Sequence, residues 1–178
     1  VSVVCNNGLN RAVKEFGLIE PGDILSKTRQ IIVNEFEKNE GNIQDGMDIA
    51  LCSLNKDTLK YAGAHNPLWI VKDGAEEITE IKANKQPIGK YVHNNEFITH
   101  TLQLDSKDTI YLFSDGYIDQ FGGEDGKKLK SKNLKKLLLS IQSKNLQDQL
   151  THLNDFFTKW KGSLEQVDDV CIIGIKQA

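Results

Sequence analysis

The clearest structural signal in this sequence is the segment Ile110-Tyr-Leu-Phe-Ser-Asp115-Gly116-Tyr-Ile-Asp119, in which an apolar run ends at an Asp-Gly pair. Residues 110–113 are strand-forming types, and a continuous apolar run predicts a strand buried on both faces. Asp115 therefore stands where the strand ends, and Gly116 lets the backbone turn tightly or approach a ligand closely. A carboxylate in such a place can hold a hard cation. An Asp-Gly pair is also typical of an ordinary turn, so both interpretations stay open.

The segments around this strand predict further antiparallel strands. From Met47 onward the apolar spacing changes from helical to alternating, which marks the start of a sheet. Short polar turns at 55–57 and 73–74 separate apolar segments and are typical of hairpins. Besides 110–113, the predicted strands cover residues 47–54, 58–63, 68–72, 77–81, 97–104 and 170–175. The last of these is another apolar run, and we expect it to be buried.

Apolar residues at helical spacing predict two helices before this sheet and two more between its last strands. The first pair covers residues 1–16 and 24–38, with Asp23 placed to cap the second helix. The second pair has its apolar faces within 134–141 and 146–160, and a polar loop covers 41–46. Antiparallel strands with helices segregated along the chain predict an α+β fold rather than a doubly wound parallel sheet.

Length and composition set the broad class of the protein. We interpret residues 1–178 as one domain that is long enough to bury a core. The formal charge of -3 gives no reason to expect nucleic acid or an anionic membrane surface as a partner. The three cysteines have no metal-type spacing and lie in apolar surroundings, so we expect core residues in a reducing compartment. No segment is apolar enough to span a bilayer, and the prediction is a cytoplasmic chain.

A second acidic pair, Asp168-Asp169, introduces the last predicted strand. If that strand neighbours residues 110–113, the carboxylates of Asp115 and Asp168 can converge at one edge of the sheet. A cluster of carboxylates without paired cysteines favours Mg²⁺ or Mn²⁺ over zinc, because hard cations prefer oxygen ligands. Two unrelated turn aspartates remain the alternative.

Several familiar kinds of site are excluded by their own patterns. An EF-hand loop starting at Asp115 requires glycine at its sixth position, where this chain has Gln120. The phosphate-binding pattern GxxxxGK(S/T) does not occur, and no GxGxxG follows a predicted strand. Ser114 has no nearby histidine and no GxSxG context, which argues against a serine nucleophile. His65, in a loop between two strands, is interpreted as a hydrogen-bonding structural residue without a catalytic role.

A basic run of four lysines follows the glycine-rich loop after Asp119; its members are Lys127, Lys128, Lys130 and Lys132. The simplest interpretation is a solvated face. An acidic or phosphorylated partner is the alternative.

Four segments in this order resemble one family, the SpoIIE-like branch of the metal-dependent protein phosphatases, which are relatives of protein phosphatase type 2C. The segments are Asp45-Gly-Met-Asp-Ile-Ala-Leu-Cys-Ser-Leu54, Leu59-Lys-Tyr-Ala-Gly-Ala-His-Asn-Pro-Leu68, Leu112-Phe-Ser-Asp-Gly116 and Asp168-Asp-Val-Cys-Ile-Ile173. The resemblance extends over essentially the whole chain. It implies a four-layer α-β-β-α sandwich of mainly antiparallel strands with a two-metal site at one edge.

The resemblance also implies an activity, which is hydrolysis of phosphoserine or phosphothreonine on a protein by a water bridged between two Mg²⁺ or Mn²⁺ ions. Carried over by residue, Asp115 and Asp168 are metal ligands. Asp119 is a weaker candidate for a peripheral third ion. Asp169 is expected to support the site more than to bind metal itself.

One family motif has no counterpart in the sequence. The family has an aspartate and a glycine in a strand before the helix with which this chain starts, and nothing before Val1 supplies them. We therefore expect a fragment that lacks its first strand or strands, one bridging carboxylate and most of its turnover. The substrate implied is a phosphorylated regulatory protein, and the longer parent chain is expected to carry a sensor or signalling domain upstream. The alternative function is a non-catalytic interaction module of the same fold in a bacterial signalling pathway.

Overall fold

The computed structural model describes residues 2–38, 46–92 and 94–177. The chain forms two compact units, Val1–Leu68 with Ile81–Leu104 and Trp69–Glu80 with Asp105–Ala178. In chain order, the helices and strands are α1 (Ser2–Lys14), α2 (Pro21–Lys38), β1 (Ile49–Asn55), β2 (Thr58–Ala64), β3 (Leu68–Val71), β4 (Thr79–Ile81), β5 (His100–Gln103), β6 (Thr109–Phe113), α3 (Gly116–Asp119), β7 (Phe121–Gly122), β8 (Lys127–Lys128), α4 (Lys130–Ile141), α5 (Leu146–Lys161) and β9 (Ile172–Lys176). Residues 41–45 of the predicted polar loop, which include Asp45, lie outside the described residues.

The first unit packs α1 and α2 against an antiparallel sheet of strand order β1-β2-β5. Leu25 and Ile32 lie on one face of α2 and form a buried cluster with Cys5 of α1 and with Ala62 and Ala64 of β2. The spacing of seven residues between Leu25 and Ile32 returns to the same helix face after about two turns. Both residues follow the helical spacing of apolar residues from which the sequence predicts this helix.

Among the boundaries in the first unit that differ from the prediction, two have a clear physical cause. Helix α2 begins at Pro21 rather than at residue 24, because proline is well suited to the first helical position, where its missing N–H is not needed. The predicted strand 97–104 is a strand only at His100–Gln103. Before it, the main-chain N–H groups of Phe97 and Ile98 donate to the side chains of Ser26 and Asn84, respectively. Side-chain acceptors thus take the place of the main-chain carbonyls of a neighbouring strand.

The second unit contains a four-stranded sheet of order β4-β3-β6-β9. Strand β6 pairs antiparallel with both β3 and β9. Tyr111 and Phe113 of β6 pack with Trp69 of β3 and with Leu138 of α4 and Leu153 of α5 in one buried cluster. The buried strand predicted at residues 110–113 is therefore confirmed. Each unit combines helices with an antiparallel sheet, which confirms the α+β class.

Burial of the last strand and of one cysteine was predicted wrongly. Exposure alternates along β9, and Ile173 and Ile175 are 49% and 37% exposed. Branched apolar side chains suit a pleated strand on either of its faces, so a run of them does not specify burial on both. Cys171, which directly precedes β9, is exposed, whereas Cys5 is buried and Cys52 is half-buried.

Within the three described ranges, no helix has the length and apolar character needed to cross a membrane. The cytoplasmic location stays a prediction.

Candidate metal centre

The pairing of β6 with β9 brings the two acidic segments to the same edge of the sheet. The strands run antiparallel with Phe113 opposite Ile172, so the C-terminal end of β6 meets the N-terminal end of β9. The ladder continues by one bond beyond the strands, because the Ser114 N–H donates to the Cys171 carbonyl over 3.0 Å. Asp115 therefore leaves β6 where the segment carrying Asp168 and Asp169 enters β9. The neighbouring strands that the sequence argument required are present.

Ser114 ties the two segments together with its side chain. Its hydroxyl donates to the Asp169 carbonyl over 2.8 Å and accepts from the Cys171 N–H over 2.9 Å. Sequence reasoning considered Ser114 only as a nucleophile and missed this role. A serine before an Asp-Gly pair gives no local signal of it, because both partners lie more than 50 residues away in the sequence.

Gly116 is required by the close approach of the acidic pair. A Cβ atom at this position would lie 2.3 Å from the Asp169 carbonyl oxygen and 3.3 Å from the Asp168 carbonyl carbon. Backbone atoms cannot move aside as the end of a flexible side chain can. Gly116 also opens the short helix α3, so the pair Asp115-Gly116 is a close-approach site and the start of a helix rather than a hairpin turn.

The carboxylates of Asp115 and Asp168 are exposed to solvent at this edge. That of Asp115 has no hydrogen bond or ion pair among the described residues, even though the residue stands at the N-cap of α3. That of Asp168 accepts one hydrogen bond from the adjacent Asp169 N–H over 2.7 Å. Both groups are thus left with free oxygen lone pairs, which is the state that a cation ligand needs.

Asp119 has a different environment from Asp115, although both lie at the ends of α3. Its Oδ2 lies 2.8 Å from Lys128 Nζ in a salt bridge whose side chains are 42% and 43% exposed. The neighbouring Lys127 pairs with Asp125 over 2.9 Å. Two of the four lysines in the basic run are therefore neutralised locally. The role of Asp119 as ligand of a third ion stays a prediction.

The donor set fits Mg²⁺ or Mn²⁺ in chemistry, because Asp115 and Asp168 offer only oxygen atoms. Mg²⁺ commonly keeps several waters and binds to proteins through one or two carboxylates. Among the described residues, no group of three or more histidine, cysteine, aspartate or glutamate side chains is arranged to hold a metal ion. The assignment of Asp115 and Asp168 as metal ligands therefore stays a prediction.

His65 is a hydrogen-bonding loop residue, in agreement with its interpretation from sequence. Its main-chain N–H donates to the Asn84 carbonyl over 3.0 Å, and its ring Nδ1 lies 2.9 Å from Asp48 Oδ1. Its φ of +57° is in the left-handed region, and these bonds hold the residue there.

Comparisons with known proteins give one family model and several solved structures to which the chain is similar. Residues 7–177 match the family model described as Stage II sporulation protein E (SpoIIE). The fold is similar to that of the SiaA-PP2C domain of Pseudomonas aeruginosa, with 25% sequence identity and a TM-score of 0.86 over 98% of this chain and 68% of that chain. No curated protein sequence gives a significant match.

Two further solved structures share the fold at lower identity. The phosphatase domain of the cell fate determinant SpoIIE from Bacillus subtilis, presoaked with Mn, is 14% identical with a TM-score of 0.58 over 97% of this chain and 72% of that chain. RsbX in complex with magnesium is 12% identical with a TM-score of 0.64 over 98% of this chain and 73% of that chain. Together with the elements described above, these similarities confirm an α+β sandwich of mainly antiparallel strands.

Proposed function

Because the chain belongs to the SpoIIE family, we propose that it is a divalent-metal-dependent phosphatase domain that hydrolyses phosphoserine or phosphothreonine in a signalling protein. One observation carries the proposal. The Ser114 hydroxyl bonds to both Asp169 and Cys171, and this joins the strand end that carries Asp115 to the segment that carries Asp168. If Asp115 and Asp168 were only two unrelated turn residues, the fold would need neither this hydrogen-bonded link nor a residue without a Cβ atom at position 116.

Asp115 and Asp168 are the residues that hold the metal in this proposal. Their exposure leaves them open to a substrate as large as a protein. Two bound ions would lower the pKa of a shared water and neutralise charge on the phosphoryl group, so no covalent nucleophile is required. The structures of RsbX with magnesium and of SpoIIE presoaked with Mn support Mg²⁺ or Mn²⁺ as the ions.

Ser114 and Asp169 hold the ligands in place. The hydroxyl of Ser114 fixes the main chain of Asp169, and the Asp169 N–H in turn orients the Asp168 carboxylate. Ligands that are held before the metal arrives lose less conformational freedom on binding it. Asp169 thus supports the site through its main chain.

We further propose that residues 1–178 have little turnover by themselves, since no three histidine, cysteine, aspartate or glutamate side chains gather to hold a metal in the described ranges. Another carboxylate, supplied by a longer form of the protein, would complete it. In that form an additional sensor or signalling domain would control access of the phosphorylated regulatory protein.

The test is phosphatase activity of the longest natural form of the protein on a phosphoserine peptide with Mn²⁺. Asp115→Asn and Asp168→Asn are each expected to lower kcat/KM by at least 100-fold. Asp155→Asn, an exposed aspartate on α5, is the matched control and should leave the rate unchanged. Full activity in Asp115→Asn would contradict the assignment.

A non-catalytic interaction module is the second candidate. The observation in its favour is that three potential metal ligands do not gather in the described part of the chain. A longest natural form that binds no Mn²⁺ and releases no phosphate would support this candidate over the enzyme.

A further inference from the structure

Gln120 is a buried glutamine directly after α3, and its side chain reaches the segment that leads to Asp168. The residue is 0% exposed. Its main-chain carbonyl accepts hydrogen bonds from the Leu129 N–H and from Trp160 Nε1, both over 3.0 Å. These bonds fix its backbone between the β7–β8 hairpin and α5. A buried side chain on a fixed backbone has little freedom to choose other partners.

The side-chain amide of Gln120 holds two points of the incoming segment. Its Nε2 donates to the Glu165 carbonyl over 2.9 Å, and its Oε1 accepts from the Val167 N–H over 3.3 Å. The same Nε2 also donates to the Phe121 carbonyl over 2.9 Å. Both polar atoms are therefore satisfied, and the bond to Val167 ends one residue before Asp168.

Hydrogen bonds, rather than packing, hold this segment. Residues 162–169 are exposed and belong to no helix or strand. Gln120 binds the segment on the N-terminal side of Asp168, and Ser114 binds it on the C-terminal side at Asp169 and Cys171. Asp168 thus lies between two fixed points and has few backbone conformations open to it.

We propose that Gln120 is a positioning residue for the metal centre: it holds the Asp168 carboxylate beside Asp115 and thereby raises the affinity of the site for Mg²⁺ or Mn²⁺. This inference rests on the proposed function. Residues that orient metal ligands without touching the metal commonly change metal affinity by about 10- to 100-fold when they are replaced. Gln120 would change the metal affinity through its hydrogen bonds to the backbone of the segment that carries Asp168.

A purely structural glutamine is the rival explanation, and the chain offers a matched control for it. Gln149 on α5 is 2% exposed. Its Oε1 accepts from the Tyr111 hydroxyl, and its Nε2 donates to the Lys144 carbonyl over 3.0 Å. It is a buried, hydrogen-bonded glutamine in the same unit with no bond to residues 162–171. Methionine is of similar length and adapts to irregular spaces, so Gln→Met removes the polar contacts of either residue with little change in volume.

The experiment compares the longest natural form of the protein with its Gln120→Met and Gln149→Met variants. Mn²⁺ binding is measured by electron paramagnetic resonance, which detects free Mn²⁺ into the millimolar range, and amide hydrogen exchange is followed in peptides covering 165–171. Thermal unfolding of the three proteins shows how much stability each substitution removes.

We expect Gln120→Met to weaken Mn²⁺ binding by at least tenfold and to speed exchange across 165–171, while Gln149→Met changes the affinity by less than twofold at a similar loss of thermal stability. Equal affinities for the two variants, or unchanged exchange in Gln120→Met, would overturn the inference. A longest natural form that binds no Mn²⁺ would contradict the proposed function instead. The exchange data alone would then decide whether Gln120 positions the Asp168 segment.

Discussion

The Ser114 hydroxyl donates to the main-chain carbonyl of Asp169 over 2.8 Å and accepts from the N–H of Cys171 over 2.9 Å. One side chain at the end of β6 therefore fixes the chain on both sides of Val170. This relationship explains why a serine precedes the Asp-Gly pair in a site that uses no serine nucleophile. It also makes Ser114 the most direct probe of how the two acidic segments are held together.

Ser114→Ala is expected to lower the free energy of unfolding by about 1 kcal/mol, since the two hydrogen bonds lie at an exposed edge where water replaces part of them. Mn²⁺ affinity should fall severalfold, because the Asp168 carboxylate becomes less well oriented. Urea unfolding and Mn²⁺ binding measure the two effects. Ser140→Ala removes one exposed hydroxyl bond to Leu137 and serves as the control for both. An unchanged Mn²⁺ affinity in Ser114→Ala would argue against the link between the segments and the site.

Gly116→Ala tests the close approach of the Asp168-Asp169 segment to the start of α3 by adding a Cβ atom there. The added Cβ would lie 2.3 Å from the Asp169 carbonyl oxygen, so the acidic segment must move away from α3. We expect a loss of about 2 kcal/mol in the free energy of unfolding, as for other overpacked sites. Mn²⁺ binding should weaken together with stability.

Gly8→Ala is the control for that substitution. Its Cβ would meet the Thr28 methyl group at 3.2 Å, a contact that a small shift relieves, and alanine favours the helix. A Gly116→Ala protein as stable as the Gly8→Ala protein would show that the acidic segment is not held against α3.

Lys128→Met tests how Asp119 is used. The salt bridge between Lys128 and Asp119 is more than one-third exposed on both sides, so its removal should cost less than about 1 kcal/mol. If Asp119 is to bind a third ion, the ammonium group must first leave it. The variant is therefore expected to bind one more Mn²⁺ than the wild-type chain, or the same number more tightly, in a titration followed by electron paramagnetic resonance. Lys128→Arg keeps the positive charge and should behave as the wild type. Identical titrations of all three proteins would remove Asp119 from the set of metal ligands.

Some of the site could be predicted from the sequence because its signals are local. Asp115 and Asp168 each stand beside an apolar strand, and the strand boundary is visible in the residue types. Ser114 and Gln120 could not be recognised in this way, because their partners lie 45 to 57 residues away. Only the pairing of β6 with β9 brings these residues together.

In the fold, too, some features follow from the local sequence and others depend on contacts with distant segments. Helix faces and the buried strand β6 follow from periodicity, which each segment carries by itself. The exposure of Ile173 and Ile175 does not, because it depends on what covers each face of β9. The early start of α2 at Pro21 is a local feature that a capping argument based on Asp23 passed over.

Alkaline unfolding provides a test of the core beneath the site. Burial raises the pKa of Tyr111 to about 12, an effect that its hydrogen bond with Gln149 partly opposes, and burial also raises the pKa of Tyr117. A phenol whose pKa is higher in the folded state stabilises the protein fully below the pKa of the unfolded chain, near 10. That contribution is lost as the pH rises towards 12. The free energy of unfolding in urea should therefore be nearly constant from pH 8 to 9 with respect to these groups and should fall between pH 10 and 12.

Tyr111→Phe is less stable at neutral pH because it leaves Gln149 without its hydroxyl partner. Its free energy of unfolding should nevertheless decline less steeply than that of the wild type between pH 10 and 12, since the Tyr111 phenol, whose pKa burial raises, is no longer present. A Tyr111→Phe protein with the wild-type slope would mean that the Tyr111 phenol ionises without unfolding the sheet, and that the packing of β6 against α4 and α5 admits water at high pH.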